Sequence, residues 1–294
     1  MSSGAYQAGT TWTPPSIRRH GKPVRWYVTI AILWVSALLF LFPFVWMVVS
    51  SLKRDIDVFR LPIEWIPDPV SFFGYERVWT GNYPITRFMG NSVIVAVCRV
   101  FGEVLTASLA AYAFARMEFR FKNLIFVLYL ATMIIPHQML LVPRFILYQE
   151  IGIHDTLWAL ILPGMFTVFG TFLLRQFFMG IPKDLTDAAK MDGASELQCY
   201  YQIVMPLAKP AIASLMILAF VWSWNDYETP LVMLTSEEIF TIPIGLTRYM
   251  DEGGGMSPSL AMAGAVSSIV PVIVVFLILQ RQFIQALTRT GMKG

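Results

Sequence analysis

The stretch "TDAAKMDGASELQCYYQIVMPLAKP", residues 186–210, is polar although it lies between two long hydrophobic runs. Its charged side chains include Asp187, Lys190, Asp192 and Glu196. Alanine favours a helix in the first half of the stretch, whereas glycine and proline turn or end helices. The pattern therefore predicts a compact helical unit held outside the hydrophobic part of the protein.

The composition of the chain is that of a membrane protein. Of the 294 residues, 56% are hydrophobic and 14% are charged, whereas a soluble domain carries about 25% charged residues. The formal net charge is +3 and the basic residues are spread along the chain, so no basic patch predicts binding to nucleic acid. Cys98 and Cys199 are too few for a disulfide framework and are expected to be free thiols.

Six hydrophobic runs are long enough to cross a bilayer, which takes about 20 residues in a helix. They cover residues 26–50, 89–115, 123–143, 156–178, 210–234 and 260–280. The apolar core of the first run is longer than that of a cleavable signal peptide, so this run is expected to remain as a span. The sequence thus predicts an all-α membrane protein with six transmembrane helices.

The distribution of Lys and Arg predicts the orientation of these spans, because both concentrate on the cytoplasmic side. With a cytoplasmic N-terminus, the inner segments hold more Lys and Arg than the outer segments. Both termini and the polar stretch are therefore expected to face the cytoplasm. Residues 1–25, which begin rich in Ser, Gly, Thr and Pro, are expected to form a disordered cytoplasmic tail, and residues 283–294 a cytoplasmic C-terminal tail.

The polar stretch and the residues before it predict two helices joined by a turn. The first should begin near Pro182 and end at Gly193, since glycine suits a sharp turn. The second should begin at Ser195, whose hydroxyl can cap a helix, and Pro206 and Pro210 should break the chain before the next span. Periodicity places on one face of the first helix Leu185, Ala188, Ala189 and Met191. Small residues allow close approach of another surface, so this unit predicts a docking element for a cytoplasmic partner; the alternative is an ordinary amphipathic loop.

The same residues resemble the EAA loop of binding-protein-dependent ABC importer permeases. The family pattern is Glu-Ala-Ala, three residues, Gly, nine residues and Ile-x-x-Pro. Here it is matched by Asp187-Ala188-Ala189, Gly193, Ile203 and Pro206, with Asp in place of the family's Glu. The resemblance covers the chain after about residue 25.

Two further motifs resemble the maltose-permease (MalG-type) carbohydrate subfamily. These are "WNDY" at residues 224–227 and "GMKG" at residues 291–294. The resemblance implies the type I importer (MetI-like) fold over residues 26–282, with a cytoplasmic coupling loop at residues 179–209. It also implies one half of a path for a sugar or sugar-like solute, such as a di- or oligosaccharide or glycerol phosphate, in a bacterial cytoplasmic (inner) membrane.

The resemblance implies several partners. These are a homologous second permease subunit, two ATPase subunits that hold ATP and Mg, an extracytoplasmic solute-binding protein and the lipid bilayer, with no cofactor and no metal bound by this chain. The residues implied to contact the ATPase are Asp187, Ala188, Ala189, Asp192, Gly193, Ile203 and Pro206.

The same resemblance implies partner contacts for two glycine-containing segments. Gly253, Gly254 and Gly255 would face the binding protein, although three glycines also suit a plain flexible linker. The tail Gly291, Met292, Lys293 and Gly294 would reach the ATPase pair, although a basic tail also suits anionic lipid headgroups.

Polar residues inside the hydrophobic runs are candidates for functional contacts, because they usually face a cavity or another chain. Aromatic rings, amides and carboxylates suit a sugar, and the fifth run has them at Trp222, Trp224, Asn225, Asp226 and Tyr227. The alternative for this cluster is an aromatic belt near the membrane interface.

Arg99 and Glu103 in the second run are four residues apart, so they share one helix face. This spacing predicts an ion pair between them, with a structural pair inside the bundle as the favoured interpretation.

The sequence does not predict an enzyme. It contains no phosphate-binding G-x-x-x-x-G-K-[ST] motif, and His20, His137 and His154 are isolated rather than spaced as metal ligands. An ion-gradient-driven secondary transporter that works without an ATPase is the alternative function, although no internal repeat of the kind such transporters show is apparent. A purely structural membrane scaffold is a third class, which the resemblance to the coupling loop argues against.

Overall fold

The computed structural model describes residues 24–251 and 257–291, with side chains described for residues 24–250 and 257–280. The predicted N-terminal tail (apart from residues 24 and 25), the three predicted binding-protein contacts at residues 253–255 and residues 292–294 lie outside this part. By its internal contacts the chain divides into two units, residues 1–45 and 46–294, and the geometry below concerns the second unit.

Every regular element in the described ranges is a helix, as predicted. The helices of the first half are α1 (Val24–Ser51), α2 (Asp55–Val58), α3 (Phe73–Thr80), α4 (Ile85–Arg116), α5 (Lys122–Ala131), α6 (Leu141–Glu150), α7 (Trp158–Gly164) and α8 (Val168–Met179). Those of the second half are α9 (Lys183–Met191), α10 (Glu196–Gln198), α11 (Met205–Leu207), α12 (Lys209–Trp224), α13 (Glu228–Met233), α14 (Ile242–Asp251) and α15 (Pro258–Gly291).

Within the described residues, four stretches of helix are long and apolar enough to cross a membrane: Val24–Ser51, Ile85–Arg116, Trp158–Met179 and Pro258–Gln280. Two bent helix pairs raise the number to six if each pair forms one span. The first pair, Lys122–Ile134 with His137–Glu150, bends by 89°. The second pair joins the polar Glu196–Leu207 to α12 at 78°, so this bend separates the polar stretch from the fifth hydrophobic run.

Three predicted spans are discontinuous, which corrects the sequence-based boundaries. The run 123–143 breaks at Ile135, which is extended because the next residue is Pro136. The run 156–178 breaks at residues 165–167, between α7 and α8, and the run 210–234 breaks at residues 225–227, between α12 and α13. We call the last two of these runs spans four and five.

Helix α4 connects the two hydrophobic cores of the second unit. Val95 and Ala96 in its first half belong to one core, together with Leu160 of α7 and Trp224 of α12. Ala107 and Ala111 in its second half belong to the other core, together with residues of α8, the polar stretch and α12. The polar stretch is therefore packed against α4, α8 and α12.

Candidate functional site: the helical knob and the broken spans

The polar stretch forms a compact helical knob, which we define as residues 183–207. Its first helix, α9, ends at a glycine in the left-handed region, Gly193, with φ of +89°. The amide of Gly193 donates to the carbonyl of Lys190, and the amide of Ala194 donates to the carbonyl of Ala189. This is the Schellman pattern of a helix C-terminus, so the predicted end of this helix is confirmed.

The second helix of the knob begins at Ser195, as predicted. The Ser195 hydroxyl accepts a hydrogen bond from the amide of Gln198, and the Gln198 side chain accepts one from the amide of Ser195. The sequence signal of this capping box is Ser-x-x-Gln at residues 195–198. Residues Cys199–Val204 then wind as a π-helix, a form found mostly as single turns at functional sites.

The chain turns into span five between two prolines. Pro206 lies in the first turn of α11, and Pro210 lies in the first turn of α12. Proline is tolerated in a first turn because the amide it lacks would have no partner there. The bend is located at Ala208, between the two prolines, so the predicted break before span five is confirmed.

Helix α4 holds the second half of the knob through polar contacts. The Tyr112 hydroxyl donates to Glu196 Oε2 at 2.8 Å, and Ser108 and Tyr200 share a hydrogen bond of 2.7 Å between their hydroxyls. Lys190 Nζ lies 2.6 Å from Glu196 Oε1. Glu196 therefore joins both helices of the knob to α4.

A second anchor lies where α8 leads into the knob. Arg116, at the end of α4, donates through Nη2 to the carbonyls of Phe178 and Ile181, at 2.6 and 2.5 Å. Its charge lies at the C-terminal end of α8, where a cation is favourable. Arg175 of α8 donates in return to the carbonyl of Phe114, at 3.2 Å. The entrance to the knob is thus fixed to α4 by reciprocal hydrogen bonds.

Of the four residues that periodicity places on one face of α9, three are exposed and one is partly buried. Leu185 and Met191 are exposed, Met191 to 88%, whereas Thr186 is buried and Ala189 is partly buried against the core. The Cys199 thiol lies 3.8 Å from the Thr186 carbonyl, so close packing with the second helix selects small residues for the inner face. Leu185, Ala188 and Met191 are therefore on the exposed side of the knob, whereas Ala189 packs against the core.

The knob exposes apolar side chains to its surroundings. Leu197 and Tyr201 are exposed, as are Leu185 and Met191. Of the predicted ATPase contacts, two are partly buried, Ala189 and Ile203, and five are exposed: Asp187, Ala188, Asp192, Gly193 and Pro206. An exposed apolar group of this kind marks an interaction surface, and the identity of the partner stays a prediction.

The Lys190–Glu196 pair should stabilise the knob over a defined range of pH. The bond with Lys190 lowers the pKa of the Glu196 carboxyl, and the same bond raises the pKa of the Lys190 ammonium. The contribution of Glu196 is therefore complete above pH 4.5 and is lost as the pH falls below it. The contribution of Lys190 is complete below pH 10.5 and is lost as the pH rises above it.

We expect Glu196→Gln to lower the thermal midpoint of the purified protein by about 2 °C at pH 7. The effect is small because 38% and 44% of the two side chains are exposed, which limits such a pair to about 1 kcal/mol. The difference from wild type should shrink as the pH falls below 4.5. Glu118→Gln, at an exposed carboxylate, is the control and should change little. A difference that is equal at both pH values would contradict a role for the Glu196 charge.

The break in span five is organised by Asp226. Its Oδ1 accepts a hydrogen bond from the amide of Thr229 at 3.2 Å, and its Oδ2 lies 3.0 Å from Arg99 Nη1 of α4. The predicted ion pair between Arg99 and Glu103 is therefore wrong, because the Arg99 guanidinium pairs with Asp226 instead. The two partners are far apart in sequence, so periodicity along one helix could not indicate this pair.

The predicted substrate-path residues do not all face the same way. Trp222, Asn225 and Tyr227 are exposed, and the Trp222 ring meets Phe169 of α8 edge to face at 5.3 Å between centroids. Trp224 is only 3% exposed, and its indole Nε1 donates to the carbonyl of Ser268. Trp224 is therefore a core residue packed against α15, which corrects its assignment to the path.

Asp155, which the sequence did not indicate, connects two loops at the end of span four that lies opposite the knob. Asp155 accepts hydrogen bonds from the amides of Thr235 and Ser236 and from the Ser236 hydroxyl. These bonds lower the pKa of the Asp155 carboxyl, and the bond from the Ser236 hydroxyl has the largest effect. No local motif marks Asp155, because its partners lie 80 residues later in the chain.

The comparisons with known proteins identify the family. Residues 103–289 match the family described as "binding-protein-dependent transport system inner membrane component". The chain belongs to this family. It is a permease subunit of an ABC importer and a multi-pass inner-membrane protein, and it is not itself an enzyme.

Several relatives span nearly the whole permease. The arabinooligosaccharides transport system permease protein AraQ of Bacillus subtilis is 34% identical over 88% of this chain and 92% of its own. The sulfoquinovosyl glycerol transport system permease protein SmoH of Agrobacterium fabrum is 33% identical over 93% and 95%. The sn-glycerol-3-phosphate transport system permease protein UgpE of Yersinia enterocolitica is 30% identical over 86% and 92%. The permease thus belongs to the class of carbohydrate-type permeases, while its assignment to the maltose-type subfamily stays a prediction.

Solved structures confirm the fold. A chain of a bacterial ABC transporter involved in the import of the acidic polysaccharide alginate superposes with a TM-score of 0.79 at 24% identity, over 93% of this chain and 100% of that one. A chain of the bacterial alginate transporter in complex with an alginate pentasaccharide-bound periplasmic protein has a TM-score of 0.64 at 15% identity. The permease therefore has the six-span importer fold in which the bent helices are interrupted spans.

Proposed function

We propose that the permease forms half of an ATP-driven path for a sugar or sugar-like solute, of the di- or oligosaccharide or glycerol-phosphate class. The observation that carries this proposal is the set of relatives that match nearly the whole chain. Their names refer to arabino-oligosaccharides, sulfoquinovosyl glycerol and glycerol 3-phosphate. These solutes share a polyol or sugar portion, which a path that combines aromatic rings with amides can bind.

The proposed partners follow from the family and from the exposed surface of the knob. A homologous second permease completes the path, two ATPase subunits bind ATP and Mg, and an extracytoplasmic binding protein delivers the solute. The proposed binding surface for the ATPase is the exposed part of the knob, because its apolar side chains lose contact with water when a partner covers them. The permease itself binds no cofactor in this proposal, since its sequence has no phosphate-binding loop.

In the proposed orientation both termini and the knob face the cytoplasm, as the excess of Lys and Arg on that side favours. Closure of the ATPase pair displaces the knob. The displacement passes to α4 through Tyr112 and Glu196, and to α8 through Arg116. Because α4 runs from the knob to the break in span five, movement at the inner surface reaches the middle of the membrane.

The proposed solute path lies beside the breaks in spans four and five. Trp222 and Phe169 offer aromatic faces to the C–H surfaces of a sugar, and Asn225 and Tyr227 offer polar groups to its hydroxyls. Contacts of residues 253–255 with the binding protein, and of the tail 291–294 with the ATPase pair, remain predictions of the family resemblance.

The proposal is tested by reconstituting the permease with its three kinds of partner in liposomes. We expect the binding protein loaded with its solute to raise the ATPase rate, and a panel of neutral and anionic oligosaccharides and glycerol phosphate to identify that solute. Uptake should stop when ATP is withheld. Uptake by the permease alone, driven by a proton or sodium gradient, would support the secondary-transporter alternative instead.

A further inference from the structure

Arg99 contacts residues at the breaks of spans four and five. Its Nη1 forms the ion pair with Asp226, at the break of span five. Its side chain also packs on Gly164, the last residue of α7, where a Cβ atom would clash with Arg99 Nε. A single guanidinium on α4 therefore lies between the two points where spans four and five lose their helical hydrogen bonds.

Glu103 lies one helical turn from Arg99 on the same face of α4 and is only 5% exposed. The spacing of four residues along the helix places its carboxyl group within reach of the Arg99 side chain. Its Oε1 is buried without a hydrogen-bond partner. A buried acceptor left unpaired costs about 1–3 kcal/mol, so this oxygen calls for an explanation beyond packing.

We infer that Arg99 is a positioning residue whose ion-pair partner changes from Asp226 to Glu103 when α4 and span five separate during the transport cycle. This inference rests on the proposed import function. In the arrangement described here Arg99 is bound to Asp226 and Glu103 Oε1 is free. When α12 and α13 move away from α4, rotation of the side chain brings the guanidinium to Glu103, four residues along its own helix.

The exchange has a clear physical reason. A charge inside a membrane protein needs a counterion, and separating a partly buried pair without a replacement would strongly oppose the movement. With two carboxylates available, Arg99 has a partner in both arrangements. An Arg that precedes Glu by four residues is the weaker order of such a helical pair, which agrees with the choice of Asp226 in this arrangement.

The two acids should therefore have opposite effects on the conformational equilibrium. Asp226→Asn removes the partner of the joined arrangement and should favour separation of α4 from α13. Glu103→Gln removes the partner of the separated arrangement and should favour the joined one. A purely structural ion pair predicts loss of stability for Asp226→Asn and no conformational effect of Glu103→Gln.

The test uses the full importer complex in liposomes, with Cys98 and Cys199 replaced by alanine and spin labels at Val97 of α4 and Leu231 of α13, both exposed. We expect the ratio of separated to joined populations to rise about tenfold in Asp226→Asn and to fall about tenfold in Glu103→Gln. Basal ATPase rates should move in opposite directions as well. Glu228→Gln, near the same break, is the control and should leave the ratio unchanged.

Two results would overturn the inference: a shift of both variants in the same direction, or an unchanged ratio in Glu103→Gln. If Asp226→Asn does not reach the membrane, the isosteric Glu103→Gln still decides, because it must lose the separated population during ATP hydrolysis. The wild-type complex reports independently on the proposed function through its solute-stimulated ATPase. Failure of the exchange is therefore distinguishable from failure of the import proposal.

Discussion

Replacing Gly193 by leucine should lower solute-stimulated transport at least about tenfold while the permease still inserts in the membrane. Gly193 has φ of +89°, and a Cβ at this position would meet no atom within 4 Å. The effect therefore arises from the backbone, because an L-residue in the left-handed region costs about 1–2 kcal/mol. Relief of that strain changes the angle between α9 and α10, so the exposed face of the knob no longer fits its partner. The measurements are transport and basal ATPase rate in liposomes.

Gly152 provides a matched control for this substitution. It has φ of +73°, and a Cβ there would also meet no atom within 4 Å, but it lies between α6 and α7, away from the knob. Gly152→Leu should cost similar stability and retain transport. Gly193→Asn should keep more transport than Gly193→Leu, since asparagine adopts this conformation more readily. Equal loss of transport in the leucine variants at 193 and 152 would contradict a specific role for the knob.

Replacing Arg116 by alanine should lower the unfolding free energy of the permease by about 2–4 kcal/mol, because it removes two hydrogen bonds from a charged group. The carbonyls of Phe178 and Ile181 would lose their donor at the entrance to the knob. We also expect weaker coupling of ATP hydrolysis to transport. Thermal unfolding of the purified complex and the ratio of solute transported to ATP hydrolysed measure the two effects.

Arg120 is the matched control for Arg116. It is an exposed arginine four residues later that stacks on the ring of Phe121, so Arg120→Ala should change stability by less than about 0.5 kcal/mol. Arg116→Lys should recover part of the loss, since a lysine keeps the charge without the planar fork of donors. Equal destabilisation by the alanine variants at 116 and 120 would show that the carbonyl contacts are not what matters.

The parts of the knob that were predicted correctly depend on contacts over a few residues. The helix end at Gly193 needs only hydrogen bonds to Lys190 and Ala189, and the cap at Ser195 needs only Gln198. The identity of the family likewise depended on a short motif with fixed spacing. Such features depend only on residues that are close together in the sequence, so they can be recognised from the sequence alone.

The predictions that failed required knowledge of which helices are neighbours. Glu103 was the expected partner of Arg99 because it is close in sequence, but packing of α4 against the break of span five supplies Asp226 instead. Trp224 belongs to an aromatic-polar motif, yet the packing of α12 on α15 buries it.

The sequence by itself determined that the protein is helical, that it has six hydrophobic runs, and that a capped two-helix unit interrupts them. Hydrophobic length, periodicity and capping are properties of neighbouring residues, and they need no tertiary structure. Only the tertiary structure decided where spans four and five are interrupted and which charges pair inside the bundle. Those features depend on residues brought together from distant parts of the chain, because a charge or a broken helix within a membrane is stable only where a packed neighbour satisfies it.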